Sequence, residues 1–250
     1  MTTFRLTLEY DGTDFQGWQN QPEGQPTLQR ALEDSLEGLF GQRVSTVGSG
    51  RTDAGVHAEG QVASFSVDTD LDPETIARAL NARLPQALVV KQLARAADDF
   101  YALRGARSKC YRYAIWNGRE RSPLRSRRFA WDARPLDLAA MQKAGAHLLG
   151  EHDFGSFQAT GSDVKNSVRC LAGLELRGES GAEVVMEMEG NGFLRHMVRN
   201  IAGTLMEVGW GQREADSIPE LLVACDRAQA GPTAPACGLT LLWVRYEGDS

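Results

Sequence analysis

Residues 48 to 61 read GSGRTDAGVHAEGQ, in which one carboxylate, Asp53, stands two residues after a guanidinium, Arg51, with Gly48, Gly50 and Gly55 around them. Two chemistries fit this pattern. Asp53 can cap its own turn while Arg51 solvates it, because Asp favours turns by bonding its own backbone. It can also be an ionised carboxylate offered as a nucleophile, with a neighbouring cation favouring the charged form and glycines letting backbone and substrate approach closely. Other chemistries fail on spacing. A GxGxxG cradle would need glycine at Asp53, and a Walker loop would need Lys-Ser or Lys-Thr after its last glycine. Ser49 follows Gly48 directly, so no G-x-S-x-G elbow forms, and the chain has no HExxH. Cys110, Cys170, Cys225 and Cys237 make no CxxC pair and no zinc spacing with the histidines.

Two further constellations carry chemistry. In KCYRY (Lys109 to Tyr113) basic and aromatic residues alternate, so on a strand Tyr111 and Tyr113 share one face and Arg112 lies on the other. An aromatic platform beside cations suits base stacking, worth about 1–3 kcal/mol per base; tyrosines in a half-buried strand are the plainer alternative. In GFLRHMVRN (Gly192 to Asn200) the apolar residues form a helical stripe, leaving Arg195 and Arg199 one turn apart on the opposite face. In a cleft those arginines become phosphate or carboxylate partners; otherwise they are solvated. From Arg104 to Arg134 ten Lys or Arg residues face two acids, Glu120 and Asp132, in a chain whose net charge is −6. Such a segment on an acidic body can direct a polyanion to one face.

The elements that must position these groups are legible from periodicity and punctuation. FRLTLEY (Phe4 to Tyr10) alternates as a half-buried strand. Leu28, Leu32, Leu36 and Leu39 repeat at helical spacing behind a Thr27 cap, and Asp72-Pro73 opens a second helix with proline at its first position. Strands are expected at Gln61 to Val67, Ala87 to Ala94, Lys109 to Trp116, Arg169 to Arg177, Glu183 to Glu189 and Leu239 to Tyr246. Helices are expected from Asp137 to Leu149, closed by Gly150, from Gly192 to about Val208, and from a Ser217–Glu220 capping box.

Alternating strands interspersed with helices imply an α+β fold of antiparallel sheets, each with one face covered. The chain reads as two similar halves, 1–105 with the Asp53 loop and 106–250 with the tyrosines and arginines, and a basic cleft between them. A composition of 42% hydrophobic and 24% charged residues supports a sizeable core. No run approaches the roughly 20 apolar residues of a membrane span. No signal peptide is visible, so the reading is a reduced, cytoplasmic protein.

Taken together, GRTDAGVHAEGQVASF and the upstream YDGTDFQGWQNQP resemble the signature of the tRNA pseudouridine synthase A family. LNARLP, YRY, GEHDFGSF, GFLRHMVRNIAGTL and GPTAPACGL extend the resemblance in order over nearly the whole chain. The resemblance implies isomerisation of uridine to pseudouridine in the anticodon arm of tRNA, at positions 38 to 40, by a homodimer of two-domain α+β subunits without metal or cofactor. It makes Asp53 the catalytic aspartate, Arg199 its partner and Tyr111 the residue that stacks on the target base. Arg51 would help to hold the substrate and the loop, and Arg195 and Arg112 would bind substrate. The chain departs from the family at Phe100-Tyr101-Ala102-Leu103, where Phe-His-Ala-Arg is common, and at Cys110 and Cys237.

That reaction asks for such residues. The target base must leave the stack, the N1–C1′ bond must break, and C5 must bond C1′. Asp53 could attack C6, attack C1′, or assist elimination across C1′–C2′. Two other classes compete: a tRNA-binding protein or chaperone without the reaction, and a nucleoside hydrolase, which would need a paired acid and base.

Overall fold

A computed structural model describes residues 1–21, 24–161 and 166–249; Pro22, the last residue of YDGTDFQGWQNQP, lies outside them. The chain runs β1 (Thr2–Tyr10), α1 (Leu28–Phe40), β2 (Val47–Gly48), β3 (His57–Val67), α2 (Pro73–Asn81), β4 (Leu88–Arg95), β5 (Ala106–Trp116) and β6 (Ala130–Trp131). It continues through α3 (Leu138–Ala146), β7 (Gly150–Asp153), β8 (Val168–Gly178), β9 (Glu183–Gly190), α4 (Met197–Gly209), α5 (Ile218–Ala224) and β10 (Leu239–Tyr246). The fold is α+β. Two compact units divide it, Met1–Arg107 with Leu241–Ser250, and Ser108–Thr240.

In the first unit the strand order is β4-β1-β3-β10, with β2 on β3. β1 pairs antiparallel with β3 (Phe4 opposite Phe65, Leu6 opposite Ala63) and with β4 (Leu6 opposite Leu93). The alternation of β1 has its expected result, with Phe4, Leu6, Leu8 and Tyr10 all buried. α1 presents Leu28, Leu32 and Leu36 to the core. Thr27 accepts from the Arg30 N–H at its start, and Gly41 ends it with a φ of 68°. α2 is capped by Asp72, whose carboxylate accepts from the Thr75 N–H at 2.9 Å. The closing strand, expected in the second half, supplies its last residues to this unit. Gly60 makes room for it, since a Cβ there would strike the Leu242 carbonyl.

In the second unit the order is β5-β9-β8-β7, antiparallel throughout, with the short β6 parallel to β5. α3 packs on α4 and on β8. α4 is the most buried helix, with Met197, Ile201 and Leu205 fully inside.

Several element boundaries differ from expectation; β3 starts at His57 instead of Gln61, and β5 at Ala106 instead of Lys109. The helix read from Asp137 stops at Ala146, and Gly150 instead opens β7 at φ 95°. Leu148 is buried without being helical, which sustains the apolar period past the helix end. α4 begins at Met197, five residues after the expected Gly192, because His196 takes φ 62° and blocks helical continuation. Finally, no side-chain bond caps α5. Ser217 donates instead to the Glu214 carbonyl at 2.7 Å.

Candidate active site

In the first unit the chain passes from β2 to β3 through Ser49 to Val56, and Asp53 sits in the middle of that loop, partly exposed. Its neighbours are fixed from both sides. Trp18 N–H donates to the Thr52 carbonyl at 3.0 Å, and Val56 N–H to the Asp53 carbonyl at 3.1 Å. The Thr52 hydroxyl bonds the buried Tyr10 hydroxyl at 2.9 Å. Burial pushes the Tyr10 pKa up, so the phenol stays neutral and remains available as a donor. Ser49 donates to Gln61 at 2.6 Å, and Gln61 donates to the Gly50 carbonyl at 3.0 Å, both from the interior. Gly12 N–H donates to Nδ1 of the fully buried His57 at 3.2 Å. Paired polar groups of this kind help to rigidify what they hold.

Two of the three glycines are needed by the loop itself. Gly48 lies against the Trp18 indole, which a Cβ would overlap, and Gly55 takes φ 77° in the turn after Asp53. Both serve the loop's own packing. Arg51 points from an exposed position on the same loop.

The other four candidates belong to the second unit. Tyr111 on β5 stands opposite Met188 of β9, and its ring meets Phe193 edge-on at 5.1 Å. Only 7% of it is exposed, so it is a packed ring and not an open platform. Tyr113, two residues on, is core, donating to the Pro235 carbonyl at 2.9 Å. Arg112 points to the opposite face of β5 from both tyrosines, across from Glu187. Lys109, at the start of the motif, has its ammonium pushed down to about 8 by burial.

Arg199 lies in the first turn of α4 and Arg195 before the helix, so the two do not share a helical face as the periodicity suggested. Arg195 is exposed, and its carbonyl accepts from Ala159 N–H at 2.9 Å. Arg199 donates its Nε–H to the Ala234 carbonyl at 2.7 Å, and Ala234 N–H returns to the Arg199 carbonyl at 3.1 Å. That reciprocal pair ties the GPTAPACG segment to α4. Cys237, in the same segment, has its thiol pKa pushed up by burial, with Arg199 opposing the shift.

Sequence reasoning missed the residue that holds this corner together. Asn200, fully buried, donates to the Phe157 carbonyl at 2.8 Å. It accepts from the Thr233 hydroxyl at 2.6 Å and from Arg227 at 3.1 Å. A polar residue inside the apolar stripe of α4 was the available signal, since buried amides are kept only when bonded.

The basic segment also resolves differently. Arg104 and Arg107 fall in the first unit and the rest in the second, where several are engaged. Arg125 donates to Glu183 at 2.7 Å and lies over Trp116, and Arg134 clasps Asp132 at 2.6 Å while stacked on Trp210. Among the described residues no three His, Cys, Asp or Glu side chains gather as a metal site, and no helix is long and apolar enough to cross a membrane.

Comparison with known proteins places the chain in a family. A sequence model of the family described as tRNA pseudouridine synthase matches residues 7–102 and 144–247. A tRNA pseudouridine synthase A of Myxococcus xanthus is 49% identical over 98% of this chain and 92% of its own. Proteins of the same description from Pelobacter propionicus and Geotalea uraniireducens are 46% and 44% identical over 98% of this chain and all of theirs. A chain from a Cbf5-Nop10-Gar1 crystal structure aligns with a TM-score of 0.37 at 10% identity, over 97% of this chain and 59% of that one. With the relatives matched almost end to end, and with the Asp53 loop and the β10 strand inside the matched ranges, the chain belongs to the tRNA pseudouridine synthase family, whose members are isomerases.

Proposed function

We propose that this chain converts uridine to pseudouridine in the anticodon arm of tRNA, at positions 38 to 40, with Asp53 as the catalytic carboxylate. The observation that carries the reading is the Asp53 loop. Its backbone is pinned by Trp18, Val56 and the Tyr10–Thr52 bond while the carboxylate itself stays accessible. Preorganisation of that kind is what a nucleophile needs, because no energy is then spent ordering it at the moment of reaction.

The reaction balances without any redox partner. The N1–C1′ bond breaks, the uracil turns, C5 bonds C1′, the C5 proton leaves to solvent and N1 takes one up. Attack at C6 or C1′ puts the charged carboxylate on an electron-poor carbon, whereas elimination across C1′–C2′ uses it as the base that takes the C2′ proton and later returns it. Arg51, exposed beside Asp53, is assigned to holding the substrate. Tyr111 is assigned to the target base and Arg199 to the catalytic set on the strength of YRY and GFLRHMVRN, with Arg195 and Arg112 as further substrate contacts. The family supports action as a cytoplasmic homodimer.

The test is release of tritium from C5-labelled uridine in an unmodified tRNA transcript. Wild type should release it, and Asp53→Asn should not, while tRNA affinity stays within about three-fold because phosphate contacts dominate it. Full activity in Asp53→Asn overturns the assignment. A wild type that binds tRNA without release, with uridine at any of the three positions, would make the chain a tRNA-binding protein.

A further inference from the structure

We propose that a groove lying wholly within the first unit binds the phosphate backbone of the tRNA substrate. The proposal deepens the reading above and rests on tRNA being the substrate.

Residues far apart in the chain converge there. Arg5 comes from β1, Arg95 from the end of β4, Arg104 and Arg107 from the entry to β5, and Tyr246 from the end of β10, around a cavity of about 620 Å³. Its floor is rigid. Arg5 donates to both oxygens of Asp249, at 2.8 and 2.6 Å, and its guanidinium carbon lies 4.5 Å from the centre of the Tyr246 ring. Phe100 packs on the same ring at 5.2 Å, and the Tyr246 hydroxyl donates to the Ala102 carbonyl at 2.7 Å. Asp249 therefore answers the charge of Arg5, leaving a surface of guanidinium and aromatic carbon held by these contacts.

The walls differ from the floor. Among the described residues neither Arg95 nor Arg104 pairs with a carboxylate, and both are exposed. Arg104 leans on the Tyr101 ring at 5.1 Å, which orients it without neutralising it. Arg107 meets Glu247 at 2.8 Å, but both partners are exposed, so the pair is weak and exchangeable for a phosphate. Guanidinium groups match phosphate oxygens bidentately. Several of them along a groove suit successive phosphodiesters, and the floor offers ribose and base faces a stacking surface. Leu103, half exposed next to Arg104, adds no charge.

The variant Arg95→Glu/Arg104→Glu tests the groove, with the affinity for a full-length unmodified tRNA transcript measured across a salt series. Two lost phosphate contacts should weaken binding by about tenfold at 0.1 M salt and lower the salt slope by about 2. Arg95→Gln/Arg104→Gln should lose less. Hydrogen exchange on wild type, which needs no variant to fold, should show residues 95–107 protected by tRNA. An affinity and salt slope unchanged in the Glu variant overturn the groove, as does equal protection by a glutamate-rich peptide. Tritium release by wild type, run alongside, separates the two failures. Release with an indifferent variant defeats the groove alone, whereas no release defeats the enzymatic reading and leaves the binding data to decide the groove.

Discussion

The Tyr10 and Thr52 hydroxyls bond one another at 2.9 Å inside the first unit, one residue before the carboxylate proposed to do the chemistry. β1 thus reaches through the core to hold the Asp53 loop from beneath. The arrangement links a strand residue, buried because of its place in an alternating pattern, to the position of a side chain at the surface.

Removing that hydroxyl should separate positioning from folding. Tyr10→Phe should cost about 1 kcal/mol in urea unfolding, the usual net worth of a buried hydrogen bond. It should slow single-turnover pseudouridine formation several-fold with little change in tRNA affinity. Thr52→Val should do the same, and the double variant should be no worse than either alone, since both break one bond. Additive losses would show that the two hydroxyls act independently.

Gly48 tests what the glycines are for. Gly48→Ala puts a methyl into the Trp18 indole, and overpacking of this kind typically costs about 1–3 kcal/mol. The thermal midpoint should fall and Trp18 emission should shift. An unchanged midpoint with impaired tRNA binding would return the glycine to substrate approach.

The corner around Asn200 should be equally sensitive. A Cβ at Gly203 would strike the Pro232 carbonyl, and Asn200→Ala strands the partners it shares with Phe157, Thr233 and Arg227. Leaving buried groups unsatisfied costs about 1–3 kcal/mol. Both variants should lower the urea midpoint, and exchange at 231–238 should quicken, because the segment loses its anchor to α4.

Lys109 makes stability depend on pH. Burial holds its folded pKa near 8, below the ordinary lysine value, so the unfolded chain binds the extra proton between those values. The penalty is fully present below about pH 8 and fades as the pH rises toward 10. Lys109→Met should therefore be more stable than wild type at pH 7, and the gap should narrow steadily in urea titrations from pH 8 to pH 10. A constant gap would mean that the lysine is equally solvated in both states.

The local sequence was sufficient for several elements governed by a short-range rule, though not for the Gly150 helix stop or the Ser217 capping box. The alternation of β1, the leucine repeat of α1 and the caps at Thr27 and Asp72 all rest on forces between residues a few positions apart, and they come out where periodicity and capping place them. The family, too, was legible, because motif order along the chain needs no coordinates. Tertiary structure decided the rest. Phe193 and Leu194 continue an apolar period without being helical, because Phe193 packs on Tyr111 and Leu194 is buried in a turn that His196 ends in the left-handed region. Burial and helicity leave the same mark on a sequence, and only packing tells them apart. The Tyr10 support of the Asp53 loop and the convergence of Arg5, Arg95 and Arg104 join residues tens of positions apart. No local pattern encodes such meetings, since strand pairing and core packing bring those residues together.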